Sequence, residues 1–593
     1  MARTLPKTDV VIVGGGWTGL TNAYELCHEG LECVVLERGQ WRHDSSSFAA
    51  PEEHDELKYG LRYAHMMNTA QQTLTFRNKT DQRALPMRRL GSFLPGQGLG
   101  GAGIHWNGQQ WRFLEADLNL RSHYLERYGQ KFLDDIPDLT IQDYGISWDE
   151  IEPHHDFFEK ITGCSGQAGN IGGETIAGGN VFEGPRSNPY PNPPMKQPYS
   201  STIFARTAAD MGYHPFPFPS ANVTRNYTNP YGAQLHPCTY CGYCERFGCG
   251  YFAKADPIIC VYDRIRDHPN LDLRFGAWVQ RVEKAADGKT ATGVTYIDDN
   301  GEELFQPADL VLMCSYSLWN VHLLLNSGLG EPYDPRSRTG VVGRNYAYQT
   351  ITGLNVFYDR EMNFNPFMGA GALGMCIDDF NTDNFDHSGL GFVGGGYISC
   401  KMYHGRPISW QPTPEGTPAW GAEWKKAVRE NYNSTADFVV HMSSASVHHN
   451  YLDLDPTYTD MFGRPLLRMT FDFPENDKRM SDYISKKTYE IAENMGGASV
   501  SMTERAKDPY SIVPYQTTHN TGGAVMGTDP ATSVVNRYGQ MWDASNVFVF
   551  GACLFPQNLG YNPTGPLMAL AYWEIDAIKN QYLSNPGPLM GRS

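Results

Sequence analysis

A short apolar run followed by a glycine-rich turn, close to the start of the chain, constrains the fold most. Residues 10–13 predict a buried strand, glycines at 14, 16 and 19 follow the G-x-G-x-x-G spacing, and a helix is expected next. A second strand is predicted at Cys33–Leu36, directly before Glu37. Such glycines allow a tight turn, a close pyrophosphate and helix–strand packing, while the acidic residue accepts from ribose hydroxyls. The pattern predicts an α/β dinucleotide-binding unit without distinguishing one adenine dinucleotide from another.

Charge and length narrow the class of protein further. The 593 residues carry 48 basic and 65 acidic side chains, a net charge of −17, which argues against nucleic acid as a partner. This length favours two packed domains over a single core. No apolar run reaches about 18 residues, so no transmembrane helix is predicted. Glycines interrupt the first apolar run at once, so we expect no secretory signal.

The remaining pattern divides the chain into strand–helix segments and a different central region. The uncharged glycine-rich segment 96–108 indicates backbone packed against a flat or phosphorylated ligand. Strands are predicted within 271–283, 291–297 and 308–314, and again at 547–550 before a helix at 567–578. Residues 350–500 predict a mainly antiparallel sheet with helices. Residues 41–90, which are polar and mixed, are expected to form a surface loop.

Four closely spaced cysteines indicate a metal centre. Cys238, Cys241, Cys244 and Cys249 follow the spacing C-x2-C-x2-C-x4-C. Thiols this close either pair as disulfides or hold metal. Zinc usually takes two C-x2-C pairs separated by a longer spacer. The spacing therefore favours an iron–sulfur cluster over zinc or disulfides.

Several further motifs carry a family resemblance that covers nearly the whole chain. They are the glycine turn with Glu37, residues 98–101 leading to Asn107-Gly108, and residues 323–328, 341–345, 460–465, 519–523, 526–530 and 555–565. With these motifs the chain resembles the glucose–methanol–choline (GMC) family of FAD oxidoreductases. Within that family, the last motif and the cysteines are most similar to the flavoprotein subunits of bacterial sugar-acid dehydrogenases.

The resemblance implies a GMC architecture, with a Rossmann-like FAD-binding domain and a substrate domain built on an antiparallel sheet. The FAD-binding domain is expected in three parts, at 1–130, 201–345 and 506–593, with a cluster loop at 238–249. The substrate domain is expected at 131–200, which includes a linker, and at 346–505.

The resemblance also implies FAD as the cofactor and a hydroxyl group as the oxidised group. Oxidising an alcohol removes a proton from oxygen and a hydride from carbon, so a base and a hydride acceptor are both required. His519 is the candidate base and Asn562 the candidate residue that orients the substrate oxygen, with flavin N5 taking the hydride. The alternative for His519 is a histidine that only stabilises its loop, and the alternative for Asn562 is a turn residue before Pro563. His105 is a candidate for a covalent flavin link.

Positions expected to contact FAD come from the same motifs. They are Gly14, Gly16, Trp17, Thr18, Gly19, Glu37, Arg38, Gly100, Gly101, Gly103, Asn107, Gly108, Val279, Gly551, Ala552, Asn562, Pro563 and Thr564.

The resemblance finally implies a dehydrogenase that passes electrons to a carrier other than oxygen. A three-iron (3Fe-4S) cluster would take three cysteines: Cys244, Cys249 and one of Cys238 and Cys241. The expected partners are a small subunit exported by a twin-arginine signal and a multi-haem cytochrome c subunit that reduces quinone. They would place the chain at the periplasmic face of the bacterial inner membrane.

The substrate implied by the resemblance is a secondary alcohol of a sugar acid such as gluconate or 2-ketogluconate. A neutral sugar, polyol or glycoside is the alternative substrate. A flavoprotein subunit without its own substrate is the alternative from another class.

Overall fold

The computed structural model describes residues 2–41, 49–50, 55–89, 91–403, 405–504, 506, 509–512 and 515–589. Its strands, numbered in chain order, are β1 (Arg3–Thr4), β2 (Thr8–Val13), β3 (Cys33–Leu36), β4 (Ala49–Ala50), β5 (Leu74–Arg77), β6 (Leu85–Pro86), β7 (Asn170–Ile171), β8 (Glu174–Thr175), β9 (Phe216–Pro217), β10 (Tyr227–Thr228), β11 (Gln234–Leu235), β12 (Gly248–Cys249), β13 (Leu271–Arg274), β14 (Trp278–Lys284), β15 (Ala291–Ile297), β16 (Glu303–Met313), β17 (Ala347–Tyr348), β18 (Thr350–Phe357), β19 (Gly374–Ile377), β20 (Gly396–Lys401), β21 (Thr435–Met442), β22 (Tyr451–Thr459), β23 (Pro465–Thr470), β24 (Ser499–Glu504), β25 (Asn520–Thr521) and β26 (Val547–Val549).

The α-helices are α1 (Trp17–His28), α2 (Glu115–Leu118), α3 (Leu120–Tyr128), α4 (Gln130–Asp134), α5 (Trp148–Thr162), α6 (Tyr199–Asp210), α7 (Asp263–Ile265), α8 (Ser317–Ser327), α9 (Ala422–Asn431), α10 (Glu475–Glu493) and α11 (Thr564–Ala577). Short 3-10 turns lie at Gly101–Ile104 and Ala552–Leu554, and π-helical turns at Glu56–Leu61, Ile258–Tyr262 and Ile578–Tyr582.

A mixed sheet, parallel on one side and antiparallel on the other, forms the centre of the nucleotide-binding half. Its order is β13-β3-β2-β16-β15-β14, and β1 and β26 also pair with β16. β2 is apolar on both faces: Val11 and Val13 pack into one hydrophobic cluster, and Val10 and Ile12 into another. A strand covered on both faces reads as a continuous apolar run, because neither face meets water. This is why the sequence alone predicts β2.

The long strand β16 joins two kinds of pairing. Its first half pairs antiparallel with β15, and its second half runs parallel between β2 and β26. The parallel strands end together at the glycine turn that follows β2. Ligands of open α/β sheets bind beyond the carboxyl ends of parallel strands, so this edge is where a nucleotide is expected.

A second, mostly antiparallel sheet has the order β24-β18-β21-β20-β19-β9. β18 alternates between fully and partly buried residues. The fully buried face packs against α10, where Thr352 Oγ1 lies 2.8 Å from Ser485 Oγ. The partly buried face carries Ile351, Gly353 and Asn355, which line a cavity. The strand therefore separates a core from a binding space.

A third sheet, β22-β23-β5-β6, corrects the prediction that residues 41–90 form a surface loop. Leu74–Arg77 is instead a largely buried strand that pairs parallel with β23, from nearly 400 residues further along the chain. Arg77 lies inside this sheet, where its Nε donates to Thr470 Oγ1 at 2.9 Å. The strand sequence Leu-Thr-Phe-Arg is too short and too mixed in polarity to show a clear periodic pattern. Residues 42–48, 51–54 and 90 of that prediction lie outside the described residues.

The predicted fold class is confirmed: a Rossmann-like nucleotide-binding unit combined with an antiparallel sheet. The domain boundaries given above stay predictions. Within the described part of the chain, no helix has both the length and the apolarity needed to span a bilayer.

Candidate active site

A cavity of about 670 Å³ connects the glycine turn after β2 to the partly buried face of the antiparallel sheet. Its walls come from the N-terminal, central and C-terminal parts of the chain, and include α8, the segment around His519 and the segment before α11. Elongated cavities with a few converging polar groups are typical of cofactor and substrate sites. We call its two ends the nucleotide end and the substrate chamber, the latter bounded by β18, β20 and β21.

Glycine is required at two positions of the turn at the nucleotide end. Gly14 has a φ of 105°, and a Cβ there would lie 2.6 Å from the carbonyl oxygen of Cys314. A Cβ on Gly19 would lie 1.9 Å from the carbonyl oxygen of Gly14, so helix and turn could not pack. Gly16, the residue that caps the N-terminus of α1, faces open space. The bare helix N-terminus therefore offers N–H groups to a pyrophosphate, as FAD binding requires.

Glu37 lines the nucleotide end, but its carboxylate also stabilises the turn. Its oxygens accept from the backbone N–H groups of Gly15 at 2.9 Å, Gly39 at 2.8 Å and Gly98 at 3.1 Å. A carboxylate has about four acceptor sites, so capacity for a ribose hydroxyl remains. The predicted ribose contact stays a prediction, and the structure adds a second role that holds the two glycine segments together.

Most of the sequence-predicted FAD contacts line this one cavity, while Gly19 and Gly108 do not. Gly19 lies beneath the turn, and Gly108 packs towards Asn222 and Lys254. His105 lines the cavity, and its Nε2 lies 3.0 Å from the carbonyl oxygen of Leu94. The predicted contacts that the structure brings together are Gly14, Gly16, Trp17, Thr18, Glu37, Arg38, Gly100, Gly101, Gly103, Asn107, Val279, Gly551, Ala552, Asn562, Pro563 and Thr564.

The protonation of His519 is set by Gln349, a residue that the sequence did not indicate. Gln349 Nε2 donates to the carbonyl oxygens of Leu559, Gly560 and Tyr561 at 2.9, 3.1 and 3.0 Å. These three acceptors fix the amide so that its Oε1 faces His519 Nδ1. Since Oε1 can only accept, Nδ1 carries the imidazole proton. His519 Nε2 is therefore an unprotonated nitrogen that faces the cavity.

Asn562 lies beside that nitrogen, and its orientation is fixed in the same way. Its Nδ2 lies 3.1 Å from His519 Nε2, and its Oδ1 lies 2.9 Å from the hydroxyl of Tyr397. The amide therefore presents its N–H groups, rather than its oxygen, to the space in front of the histidine. This arrangement offers a base and a hydrogen-bond donor to one substrate oxygen.

Burial keeps the candidate base neutral. It lowers the pKa of His519 to about 3, and the charge of Lys401 adds to the effect. The neighbouring His441 also has a pKa well below its usual value, through burial, Lys401 and His519. A neutral imidazole can accept a proton over the whole range near neutral pH. The site has the properties of a general base at an alcohol.

The four cysteines converge on a second, much smaller cavity next to this site. None forms a disulfide. Asn222 Nδ2 lies 3.7 Å from Cys238 Sγ and 3.6 Å from Cys244 Sγ, and backbone N–H groups of Ala253 and Lys254 lie 3.4 and 3.5 Å from Cys249 Sγ. Across the residues that can be described, however, no group of three or more His, Cys, Asp or Glu is placed to hold a metal ion. The predicted metal centre is thus not supported by the geometry as it stands.

Lys254 joins the cysteine loop to the main cavity, which the sequence did not reveal. Its buried Nζ lies 2.9 Å from the carbonyl oxygen of Cys244 and 2.8 Å from that of Phe247. It also lies 3.1 and 2.6 Å from the carbonyl oxygens of Ile104 and Trp106, in the segment that lines the cavity. One ammonium group therefore holds the two regions next to each other. A single lysine between Ala253 and Ala255 gives no sequence signal for this role.

The fold and this site together define the class of protein. Family profiles described as GMC oxidoreductase match residues 194–351 and 446–571, and one described as FAD dependent oxidoreductase matches residues 9–135. The chain belongs to the GMC oxidoreductase family, and FAD is its cofactor.

Individual relatives extend this result over the whole length. The chain is 48% identical to "Gluconate 2-dehydrogenase flavoprotein" of Pantoea cypripedii, over 100% of this chain and 96% of the relative. It is 24% identical to "Fructose dehydrogenase large subunit" of Gluconobacter japonicus, over 98% and 99%. Among solved structures, pyridoxine 4-oxidase from Mesorbium loti superimposes with a TM-score of 0.59 at 15% identity, covering 97% of this chain and 100% of that one. Formate oxidase gives the same TM-score and identity, covering 98% and 99%.

Proposed function

We propose that this flavoprotein oxidises a secondary alcohol of a sugar acid of the gluconate or 2-ketogluconate type. The observation that carries the proposal is the pair formed by His519 Nε2 and Asn562 Nδ2, 3.1 Å apart in the cavity. The substrate class is supported by the 48% identity to a relative named for gluconate 2-dehydrogenation, against 24% to one named for fructose.

The substrate hydroxyl would enter between the two side chains. His519 Nε2 would accept the hydroxyl proton, because its own proton is held on Nδ1 by Gln349. Asn562 Nδ2 would donate to the same oxygen and hold it as negative charge develops there. Bound FAD would supply the hydride acceptor that oxidation of the carbinol carbon requires. The glycine turn, α1 and Glu37 would hold its pyrophosphate and ribose at the nucleotide end.

The cysteine loop is the proposed site of an iron–sulfur cluster of the 3Fe-4S type. Cys244 and Cys249 would serve as ligands, with Cys238 or Cys241 as the third. The N–H groups directed at the sulfurs of Cys238, Cys244 and Cys249, and the buried Lys254 nearby, are the kind of surroundings that stabilise anionic clusters. Thiolates around a cluster stand further apart than those around a single ion, which is compatible with the lack of a single-ion site among the residues that the structure describes. Such a cluster would supply single-electron transfer to an external acceptor.

The electron acceptor that we propose is a multi-haem cytochrome c subunit that reduces quinone. A small subunit with a twin-arginine signal would export the folded complex to the periplasmic face of the inner membrane. Support for partner subunits comes from relatives whose names describe a flavoprotein and a large subunit.

Anaerobic mixing with substrate tests the proposed function directly. The purified chain should be yellow, and gluconate or 2-ketogluconate should bleach its flavin, whereas fructose and sorbitol should not. Bleaching by fructose or sorbitol alone would favour the neutral-sugar alternative. A flavin that no polyol or sugar acid bleaches would favour a subunit without its own substrate. A non-haem iron assay on protein purified without oxygen tests the cluster separately, and a preparation free of iron would contradict it.

A further inference from the structure

Lys401 lies inside the substrate chamber, on the side formed by the antiparallel sheet. In the register of β20 and β21, Lys401 is opposite Asp437, and Tyr397 is opposite His441. Because side chains two and four residues apart share a face of a strand, Lys401 and Tyr397 project from the same face. Both residues and His441 belong to the walls of the main site or touch its catalytic pair. The lysine therefore lies in the same space as the candidate base.

Lys401 is 3% exposed, yet its ammonium group has no ion pair or hydrogen bond among the residues that the structure describes. It is surrounded by aromatic rings instead: its Nζ lies 5.3 Å from the ring centre of Phe218 and 5.9 Å from that of Tyr397. Burying a charge is costly unless a partner compensates for it. Cation–π contacts compensate only in part, so an anion in the chamber would complete the site.

The ammonium group is also close to the reacting end of the chamber. The hydroxyl of Tyr397 lies 2.9 Å from Asn562 Oδ1 and 2.8 Å from His441 Nδ1. One aromatic side chain therefore separates the lysine from the catalytic pair. In a 2-hydroxy acid the carboxylate carbon is bonded directly to the carbinol carbon. A cation one side chain away from the base matches that short separation.

The other charged groups of the chamber compensate this cation only in part: Asp437 and Glu245 both act to raise its pKa, but burial outweighs them. Arg246 Nε lies 3.3 Å and Arg406 Nη2 lies 3.4 Å from the carboxylate of Glu245, so one anion serves two cations. Burial raises the pKa of Asp437 to about 7, and burial lowers the pKa of Lys401 to about 8. The charged side chains that line the chamber are thus three cations, Lys401, Arg246 and Arg406, against two carboxylates, Glu245 and Asp437, in a chain whose total charge is −17.

We propose that Lys401 binds the carboxylate of the substrate and selects sugar acids over neutral sugars. This inference rests on the proposed function and deepens it, since it names the residue that sets the substrate class. Lysine acts as a compact point charge, and a charge-assisted hydrogen bond from it to a carboxylate is among the stronger polar contacts in proteins.

The test compares gluconate with gluconamide, its neutral amide of almost the same shape, as reductants of the flavin under anaerobic conditions. In Lys401→Gln we expect kcat/KM for gluconate to fall by about ten- to a hundredfold, and that for gluconamide by less than about threefold. Lys401→Arg keeps the charge and should retain part of the preference for the acid. The matched control is Lys426→Gln on the exposed helix α9, which should leave both substrates unchanged.

The ratio of the two kcat/KM values separates recognition from a merely structural role. Damage to the fold or to the flavin site would lower both values together and leave the ratio unchanged, which would overturn the inference. An unchanged kcat/KM for gluconate in Lys401→Gln would overturn it as well. If the wild-type flavin is reduced by neither compound, nor by 2-ketogluconate, the proposed function fails, and that outcome is distinct from failure of Lys401 alone.

Discussion

The two ends of the cavity are built in different ways. The nucleotide end is made mainly of backbone, supplied by the turn at Gly14–Gly19 and by the glycine-rich segment near Gly98. The substrate chamber is made of side chains that converge from β18, β20, β21 and the segments around His519 and Asn562. At the nucleotide end steric fit decides function, whereas in the chamber hydrogen-bond direction and charge decide it. Substitutions at the two ends should therefore fail in different ways.

The largest effect is expected at the nucleotide end, from Gly19→Ala. Its new Cβ would lie 1.9 Å from the carbonyl oxygen of Gly14, so helix and turn must separate. We expect this variant to be purified without FAD, as measured by absorbance of the released flavin. Gly16→Ala is the matched control: it meets no protein atom within 4 Å, so it should fold but bind FAD more weakly. A yellow, flavin-replete Gly19→Ala protein would show that this packing is not needed.

In the chamber, His519→Ala should retain FAD and lose about two to four powers of ten in the rate of flavin reduction. The reason is the loss of the one nitrogen that is held unprotonated in front of Asn562. Stopped-flow absorbance with excess gluconate measures the rate. His448→Ala, which removes a histidine hydrogen-bonded to Tyr333 away from the cavity, is the control and should react like the wild type. Near-normal reduction by His519→Ala would remove this residue from the mechanism.

Gln349→Leu should slow flavin reduction by about ten- to a hundredfold, because the imidazole proton is no longer fixed on Nδ1. The double variant Gln349→Leu/His519→Ala should be no slower than His519→Ala, since Gln349 acts through the histidine. Flavin content and near-UV circular dichroism check that the loop at 559–561 is intact. Fully additive losses in the double variant would assign Gln349 a role in folding rather than in positioning.

The smallest expected effect concerns pH: the rate of flavin reduction should not decline on the acidic side of neutral. Because burial lowers the pKa of His519 to about 3, the imidazole stays neutral above that pH, and the rate constant for flavin reduction should be constant from pH 5.5 to 7.5. The same shift affects stability. As pH falls below about 6.5 the histidine binds a proton in the unfolded state but not in the folded state, so the free energy of unfolding decreases from there down to about pH 3. A decline in rate centred near pH 6.5, measured at saturating substrate, would contradict this environment for His519.

The difference between the two ends also explains how much could be predicted from sequence. The glycine turn, β2, α1 and β3 are contiguous, so local spacing was enough to predict the fold class and the nucleotide end. His519 and Asn562 were predicted only through the family resemblance. Gln349, Tyr397 and Lys401 were missed because the register of β18, β20 and β21 brings them together from distant segments. The strand at 396–401 offered one signal, a lysine in an otherwise apolar or small-residue strand.

The iron–sulfur prediction marks where spacing alone becomes insufficient. Four cysteines do converge on one small cavity, as close spacing in the chain suggests. Their arrangement among the described residues does not form a single-ion site, and spacing carries no information about the distances between sulfurs. The buried Lys254 holds this loop next to the main cavity, and this proximity supports the proposal that the loop receives electrons from the flavin.

Reduction of the bound flavin by gluconate in the absence of oxygen tests the central claim most directly. The account predicts that the yellow absorbance of the wild-type chain bleaches within seconds, while His519→Ala with the same FAD content stays yellow over that time. A wild-type flavin that remains oxidised in excess gluconate and 2-ketogluconate would contradict the account.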